Sequence, residues 1–236
     1  MKENSESVLN AVVDPGIRSL LLGFHRAASE ENEQLAHELS PYFDDLENNR
    51  VPAWRQIEQY LDDKYICLDP AEGVFCYLIA KAIGARRIVE FGTSFGVSTI
   101  YLSMAVRDNG GGLVIGTEVV AEKARRAREN VARAGLSKFV EIRVGDAHET
   151  LRDLEGPIDF FLCDGFPRYQ LSILKLVAPR LRTGGVVVTD RVDERDQVYR
   201  SYLEYLRDPG NGFQSTLIGL DRGTEGTEFS VKVGKT

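Results

Sequence analysis

The sequence predicts an α/β fold, a mostly parallel sheet with helices on both faces and a helical extension at its N-terminus. From residue 87 onward, apolar runs rich in β-branched residues alternate with helical patterns of about 12 to 16 residues, roughly the length that a parallel crossover needs. The runs are nearly continuous rather than alternating, which is typical of strands that helices bury on both faces. Residues 1–70, by contrast, show only the apolar spacing of helices.

The N-terminal part of the chain carries the helical patterns in two stretches. Apolar residues recur at helical spacing over residues 17–28, and a shorter stripe covers residues 54–61. Asp69 then predicts an N-cap with proline at the first helical position, and the stripe that follows ends at Gly84, a suitable C′ residue. We therefore predict a helical extension at residues 1–68, followed by a domain at residues 69–236. If the extension flanks the carboxyl edge of the predicted sheet, it could act as a lid; the alternative is a dimer contact.

The strand candidates fall into two groups along the chain. Five apolar runs separated by helical patterns predict the parallel part of the sheet, at residues 87–91, 113–117, 139–144, 158–163 and 186–189. Two further candidates follow Asp208-Pro209-Gly210 and are joined by a short glycine-bearing connection, residues 220–226. They predict an antiparallel hairpin that closes one edge of the sheet, at residues 215–219 and 227–233.

Composition and charge exclude several classes of protein. The formal net charge is −7 and no dense basic stripe is present, so a nucleic-acid partner is not expected. The sequence contains no run of about 18 apolar residues, so no membrane span is predicted. The first residues lack the pattern of a secretory signal. The three cysteines are Cys67, Cys76 and Cys163, an odd number without a C-x-x-C pair. We therefore expect a reducing, cytoplasmic setting.

Acidic residues lie at or just after the ends of the five predicted parallel strands. In an open parallel sheet, ligands bind beyond the carboxyl ends of the strands, near the topological switch point. Solvation of the surface alone does not explain five acidic residues at five consecutive strand ends. These residues therefore predict a ligand site: Glu90, Glu118, Asp146, Asp164 and Asp190.

Three of these strand ends have an alternative, purely structural interpretation. The turn at residues 92–96 reads G-x-x-x-G, which lets a ligand approach the backbone, but a turn that only packs a helix on a strand would look the same. Glu118 can accept hydrogen bonds from both hydroxyls of a ribose, or it can simply begin a helix. Asp146 can face an adenine edge or cap a helix. The missing G-x-G-x-x-G argues against a nicotinamide-dependent oxidoreductase.

Taken together, the strand-end stretches resemble a class I S-adenosylmethionine-dependent methyltransferase, above all the small O-methyltransferases of the catechol and caffeoyl-CoA type. The resemblance covers about residues 66–233, and its motifs lie at residues 69–73, 88–99, 145–147, 160–164 and 181–190. It implies a Rossmann-like sheet of seven strands with a reversed C-terminal strand, a homodimer, and a methyltransferase domain at residues 69–236. It also implies methylation of a hydroxyl of a small aromatic or natural-product-like acceptor.

The resemblance implies that the cofactor is S-adenosylmethionine. The segment before the helix at residue 71 and the loop after the first strand would hold its methionyl part, Glu118 its ribose diol, and Asp146 with Ala147 its adenine. The implied cofactor contacts are Cys67, Leu68, Glu90, Gly92, Thr93, Ser94, Phe95, Gly96, Ser98, Glu118, Asp146, Ala147 and Asp164.

A departure from the family pattern affects the metal. The metal-dependent branch binds a divalent cation through the aspartate that matches Asp164 and an Asp-Asn pair, which here reads Asp190-Arg191. Arginine has no acceptor atom and carries a fixed positive charge. If Arg191 points inward, it repels Mg²⁺ and neutralises the carboxylates; if it points outward, Asp164 and Asp190 with waters can still bind Mg²⁺ weakly. Both alternatives stay open at this point.

The catalytic group is predicted to be Asp164, Asp190 and Arg191, with the base unassigned. The family lysine that follows the fourth-strand aspartate is missing from residues 165–169, where Arg168 could act as an electrostatic clamp. Candidates for the base are His148, Tyr169, Asp164 and Asp190, and the aromatic walls could come from Tyr65, Phe166 and Tyr169. The altered metal pair and the missing lysine also fit a non-catalytic protein that binds S-adenosylmethionine or S-adenosylhomocysteine.

Overall fold

The computed structural model describes residues 7–47, 54–222 and 225–234, which form seven strands and eight α-helices. The strands β1 to β7 are Arg87–Phe91, Leu113–Glu118, Val140–Val144, Ile158–Cys163, Leu181–Val192, Phe213–Arg222 and Glu225–Lys232. The helices α1 to α8 are Pro15–Glu47, Trp54–Leu61, Pro70–Ala82, Val97–Asp108, Ala121–Arg133, Ala147–Thr150, Pro167–Val177 and Gln197–Arg207. No described helix is both long enough and apolar enough to cross a membrane.

The seven strands form one sheet in the order β3-β2-β1-β4-β5-β7-β6. Strands β1 to β5 are parallel to one another, and β7 is antiparallel to both of its neighbours. This confirms the predicted mostly parallel sheet with a reversed C-terminal strand. The strand order reverses between β1 and β4, so the carboxyl ends of these two strands define the switch point at which ligands bind.

Helices cover both faces of the sheet, as the continuous apolar strands predicted. Ile88 belongs to a core on one face, which it shares with α3 and α4, whereas the next residue, Val89, belongs to a core on the other face with α7 and α8. Because successive side chains of a strand point to opposite faces, a central strand such as β1 contributes to both cores, whereas the edge strand β3 carries the polar side chains Glu141 and Arg143 on one side. The positions of the strands therefore depend on burial on both faces.

Strand β5 and the terminal hairpin are longer than predicted. The pattern predicted a strand at residues 186–189, but β5 begins at Leu181, where it pairs with Ile158 of β4. The polar and glycine-rich residues before Val186 hid this extension, because the ladder there depends on backbone pairing rather than on apolar side chains. In the hairpin, Arg222 pairs with Glu225, which shortens the predicted connection. Residues 223 and 224 of that connection lie outside the described residues.

Helix α3 begins and ends where the sequence predicted. Asp69 is its N-cap residue, Pro70 is its first residue, and Gly84 follows it with a φ of +63°. The Asp69 side chain, however, makes no capping hydrogen bond. Its charge raises the pKa of both Cys67 and Arg191.

The N-terminal helix α1 shares the hydrophobic core of the sheet. Ile17, Leu21, Phe24 and Ala28, the predicted apolar face, are buried in the same cluster as residues of α3, α4 and β1. The extension therefore packs as part of the same core as the domain, and the division of the chain at residue 68 stays a prediction about function.

Candidate functional site

The predicted strand-end residues meet at one edge of the sheet. Gly145 N donates to the Glu118 carbonyl over 2.9 Å, and Asp164 N donates to the Phe91 carbonyl over 2.9 Å, so neighbouring strands end at the same level. Asp190 lies in β5, beside β4, and is 4% exposed. The structure thus brings the five acidic positions together along the edge that contains the switch point.

Glu90 is a fully buried carboxylate that is only partly satisfied by the protein. Its Oε2 accepts hydrogen bonds from the hydroxyls of Thr93, at 2.8 Å, and Thr99, at 2.6 Å. Its Oε1 has no hydrogen-bond partner among the described residues. Burial raises the pKa of Glu90, whereas the hydroxyls of Ser98, Thr99 and Thr93 lower it. A buried oxygen without a donor is costly, so Oε1 is a suitable acceptor for a ligand's N–H or O–H.

Gly116 makes room for this carboxylate, and the sequence analysis did not single it out. A Cβ at Gly116 would lie 2.3 Å from Thr93 Oγ1 and 3.1 Å from Glu90 Oε2. The signal that could have identified it is a glycine inside an apolar strand, which often marks a place where another group approaches closely.

The glycine turn at residues 92–96 has a packing role, as expected if its glycines serve to pack a helix closely. A Cβ at Gly92 would lie 2.7 Å from the Asp164 carbonyl oxygen, and one at Gly96 would lie 3.1 Å from Ala127 Cβ of α5. Packing does not explain Ser94, which has a φ of +48° and a buried Oγ without a partner among the described residues. The turn therefore packs α4 and α5 closely and also offers one unpaired hydroxyl.

Glu118 holds the glycine turn against the end of β2. Its Oε2 accepts a hydrogen bond from Ser94 N and its Oε1 accepts one from Val120 N, each at 2.8 Å. The residue is 9% exposed, and each carboxylate oxygen has a second lone-pair direction to offer. The Val120 contact fits a carboxylate that simply begins a helix, but the Ser94 contact does not. The two fixed carboxylate oxygens are placed to accept hydrogen bonds from two neighbouring hydroxyls of a ribose.

Two exposed apolar side chains flank Glu118 and Gly145. Val119 is 65% exposed and Val144 is 43% exposed, and both belong to the few large hydrophobic side chains exposed in the described part of the chain. Their position at the ends of β2 and β3 leaves an apolar surface beside the acidic residue.

Asp146 caps the short helix α6, as its structural interpretation predicted. It accepts hydrogen bonds from His148 N and contacts His148 Nδ1, each at 2.8 Å, and these bonds lower the pKa of Asp146. His148 Nε2 lies 2.7 Å from Ser172 Oγ, so both ring nitrogens have partners. His148 is therefore poorly placed to take a proton from the hydroxyl group of a bound ligand. Ala147, the other residue predicted at the adenine, is buried.

Phe95 and Tyr65 form a stacked pair beneath the N-terminal helices. Their ring centroids are 4.6 Å apart with an interplanar angle of 4°, and the Arg126 guanidinium lies 4.4 Å from the Phe95 centroid. Phe95 is 2% exposed. The pair therefore fixes the glycine turn to the segment before α3, which contains the predicted cofactor contacts Cys67 and Leu68.

Asp164, Asp190 and Arg191 form a charged cluster at the ends of β4 and β5. Burial raises the pKa of Asp164 well above its ordinary range, the Asp190 carboxylate raises it further, and Arg191 lowers it. Arg191 Nε lies 3.7 Å from Asp190 Oδ2. Cys67 belongs to the same neighbourhood, since burial raises the pKa of its thiol to about 12 and the charges of Asp69, Asp164 and Asp190 add to this rise.

This cluster does not fit the divalent metal that the family resemblance implies. Among the described residues, no group of three or more His, Cys, Asp or Glu side chains could hold a metal ion. The third position is occupied by a guanidinium, which has no lone pair and which shares the carboxylate of Asp190.

Helix α2 is fastened to both sides of the site by contacts that the sequence did not indicate. Arg168, at the start of α7, forms an ion pair with Glu58 and lies over the Tyr169 ring. On the other side, Lys123 of α5 donates a hydrogen bond to the Leu61 carbonyl over 2.7 Å. These contacts join residues far apart in the chain, so no local pattern could have revealed them.

His25 is a second residue that the sequence analysis underrated. It is buried in α1, with Nε2 2.8 Å from the Tyr101 hydroxyl and Nδ1 3.8 Å from Cys67 Sγ. Burial lowers its pKa to about 4, although Asp69 opposes this shift. A neutral imidazole thus connects the N-terminal helix to the segment beside the charged cluster.

Comparison with known proteins points to methyltransferases. Residues 89–192 match a family model described as a methyltransferase domain. The catechol O-methyltransferase of Mycobacterium tuberculosis is 36% identical over 128 residues, which cover 54% of this chain and 57% of that protein. The chain therefore spans a little over half the length of the curated relatives that it matches.

Solved structures share the fold over most of the chain. The cofactor-bound protein Rv0187 from MTB is 27% identical with a TM-score of 0.64, and the match covers 82% of this chain and 88% of that one. The O-methyltransferase TomG from Streptomyces achromogenes, involved in tomaymycin synthesis and solved in complex with SAM, is 25% identical with a TM-score of 0.65; the match covers 76% and 87%. The Rossmann-like methyltransferase fold is therefore confirmed.

Proposed function

We propose that this chain, whose residues 89–192 belong to the family of methyltransferase domains, is an enzyme that transfers a methyl group from S-adenosylmethionine to a hydroxyl of a small acceptor. The names of its relatives, catechol O-methyltransferases among them, and the SAM bound to a structural neighbour support this activity. An aromatic or natural-product-like acceptor is the class that these relatives suggest.

A single observation carries the proposal: unpaired polar groups and exposed apolar side chains converge at the ends of β1, β2 and β3. Glu90 Oε1 and Ser94 Oγ are buried without partners among the described residues, and Glu118 keeps acceptor capacity on both oxygens. Val119 and Val144 expose apolar surface next to them. A ligand with an amino group, two neighbouring hydroxyls and a flat ring would satisfy these groups, and S-adenosylmethionine carries all three.

The residues along this edge would hold the cofactor as follows. Glu90 and the glycine turn accept its amino acid part, Glu118 accepts the ribose hydroxyls, and Val119 and Val144 flank the adenine together with Asp146. The hydrogen bonds that already fix these side chains reduce the ordering that binding would otherwise require. The remaining proposed contacts are Cys67, Leu68, Gly92, Thr93, Phe95, Gly96, Ser98, Ala147 and Asp164.

The proposed reaction needs the chain to align and deprotonate an acceptor. The cofactor supplies an electrophilic methyl group, and an acceptor oxygen attacks its carbon in line with the breaking carbon–sulfur bond, whose electron pair returns to sulfur. Arg191 would stabilise the oxyanion, and the neighbouring carboxylates Asp164 and Asp190 are the candidates to take the hydroxyl proton, since His148 has partners at both nitrogens. We assign no step to Mg²⁺, because the side chains at Asp190-Arg191 do not fit it.

The N-terminal extension, residues 1–68, would act as the lid of this site. Helix α2 reaches from Arg168 to Lys123 across the edge of the sheet, which supports that role. Tyr65, Phe166 and Tyr169 would supply aromatic walls for the acceptor. A cytoplasmic homodimer is part of the same proposal, supported by the three free cysteines and by the family resemblance.

The experiment that tests this function is a calorimetric titration of the purified protein with S-adenosylhomocysteine, with and without Mg²⁺, followed by methyl-transfer assays on a panel of phenols. We expect binding that does not depend on Mg²⁺, and methyl transfer in the presence of EDTA. Failure to bind any nucleoside would overturn the proposal. Binding without transfer to any phenol would favour a non-catalytic cofactor-binding protein, and activity only with Mg²⁺ would restore a metal mechanism.

A further inference from the structure

Arg191 has a strained backbone at the centre of the proposed acceptor site. Its φ is +53°, and among the described non-glycine residues only Ser94 shares this left-handed conformation. Asparagine, the residue that the family pattern carries here, tolerates this region better than arginine, because its short polar side chain can form hydrogen bonds with the nearby backbone. Such strain persists only where the surrounding structure holds it, and it concentrates at functional sites.

Tyr199 of α8 holds this conformation. Its hydroxyl donates a hydrogen bond to the Arg191 carbonyl oxygen over 2.9 Å, and the side chain is buried. The pairing of β5 with β7 shifts between Thr189 and Val192, so the strand ladder does not constrain Arg191 itself. The contact from α8 therefore replaces the ladder as the restraint on this residue.

The guanidinium held in this way keeps its hydrogen-bond donors available. It lies beside Asp190 at 3.7 Å, its side chain is 43% exposed, and it makes no hydrogen bond to a described residue. Burial would lower its pKa, but the carboxylates of Asp190, Asp69, Glu225 and Asp164 raise it, so the group stays charged. A charged guanidinium that makes no hydrogen bond to a described residue has donors to offer to an oxyanion.

We propose that Tyr199 is a positioning residue that holds Arg191 in its left-handed turn, so that the guanidinium binds a single acceptor oxygen as the oxyanion. The inference rests on the proposed function and names the class of its acceptor: one acidic hydroxyl, rather than a vicinal diol. A vicinal diol gains its advantage by chelating one cation through both oxygens, and the side chains here do not fit such a cation. Without a metal or the family lysine, the hydroxyl itself has to be acidic.

The test uses protein loaded with S-adenosylhomocysteine and 4-nitrophenol, whose phenolate absorbs visible light. At constant pH and with EDTA present, we expect the bound probe to be shifted to the phenolate, with 4-nitrocatechol binding no better. Arg191→Asn should weaken phenolate binding about ten- to a hundredfold, the effect of losing a charge-assisted hydrogen bond, and Tyr199→Phe about fivefold. Tyr202→Phe, on the same helix, is the matched control. The Tyr202 hydroxyl lies 2.5 Å from Thr189 Oγ1 of β5 and forms no hydrogen bond with Arg191, so this variant should leave probe binding unchanged.

A double-mutant cycle separates positioning from a purely structural role. In an Arg191→Gly background, the guanidinium is gone and glycine adopts the left-handed turn without strain, so Tyr199→Phe should no longer affect probe binding. A Tyr199→Phe effect that persists in that background would overturn the proposal. So would wild-type protein that binds S-adenosylhomocysteine but no phenolate, a result that leaves the proposed function intact. Loss of S-adenosylhomocysteine binding itself would instead mark the failure of the proposed function.

Discussion

Single residues at the carboxyl edge serve the fold and the proposed ligand at once, and Glu118 does so most directly. The same carboxylate fixes the glycine turn and would accept the ribose hydroxyls. Glu118→Ala should weaken S-adenosylhomocysteine binding by about 1.5–3 kcal/mol, roughly ten- to a hundredfold, since charge-assisted hydrogen bonds are lost. Isothermal titration calorimetry measures the change directly.

Two control variants identify the cause of that loss. Glu118→Gln keeps one acceptor oxygen and the side-chain volume, so it should weaken binding less than Glu118→Ala. Glu122→Ala removes a charge from the exposed start of α5, where Glu122 pairs with Arg125 at the surface, and should leave binding unchanged. Equal affinities for wild type and Glu118→Ala would refute the ribose assignment.

Gly116 offers a prediction about space rather than charge. In Gly116→Ala the new methyl group would lie 2.3 Å from Thr93 Oγ1, so the hydroxyl and the Glu90 carboxylate beside it have to move. Overpacking of this kind costs about 1–3 kcal/mol of folding free energy, and cofactor affinity should fall with it. The control is Gly219→Ala in β6, since no heavy atom lies within 4 Å of that added Cβ. Denaturant unfolding measures the folding free energy of both variants. Equal losses of folding free energy in Gly116→Ala and Gly219→Ala would contradict the steric explanation.

At the scale of elements, the hold on α2 depends on a partly buried ion pair. The side chains of Arg168 and Glu58 are 29% and 18% exposed, and Glu58 Oε1 is buried without a partner among the described residues. Arg168→Met should therefore increase hydrogen exchange across Trp54–Leu61, because the carboxylate loses its counter-charge. A double-mutant cycle with Glu58→Gln should give a coupling of about 1 kcal/mol.

The surface pair Arg152–Glu149 is the matched comparison for this coupling. It joins Glu149 of α6 to Arg152, three residues further along the chain, and its side chains are 62% and 63% exposed. Solvent screens such a pair, so its coupling should be close to zero. If both pairs coupled equally and exchange in α2 stayed as in the wild type, the ion pair would not be what fastens the helix.

The elements that sequence could predict are those with a local apolar pattern. Strand β1 was predicted to the residue, because burial leaves an apolar run that can be read locally. The start of β5 was missed, since residues 181–185 pair through the backbone and carry no such run. Asp69 occupies the predicted N-cap position, but its side chain makes no capping hydrogen bond, which the local pattern did not indicate.

The candidate site divides in the same way. Strand ends reveal which acidic residues share an edge, so the placement of Glu90, Glu118 and Asp164 followed from the sequence and the topology of the sheet. The fastening of α2, the room made by Gly116 and the contact between Tyr199 and Arg191 join distant parts of the chain. No spacing rule encodes such contacts, which is why they emerged only from the structure.

At the scale of the whole molecule, the extension and the sheet share one buried polar contact whose protonation should affect stability. His25 of α1 is enclosed by the Tyr101 hydroxyl of α4 and by Cys67, with Asp69 the nearby charge that acts on it. Burial lowers the pKa of His25 from 6.5 to about 4. Between these two values the unfolded chain binds a proton that the folded chain does not.

The stability that His25 contributes should therefore be complete above pH 6.5 and should be lost as the pH falls toward 4. A shift of this size corresponds to roughly 3 kcal/mol of unfolding free energy across the window. Denaturant unfolding at several pH values should show a shallower decline in His25→Gln than in the wild type, because glutamine cannot take up the proton. Parallel curves for wild type and His25→Gln would show that the imidazole titrates alike in the folded and unfolded chain, and that the extension is not coupled to the sheet through its charge.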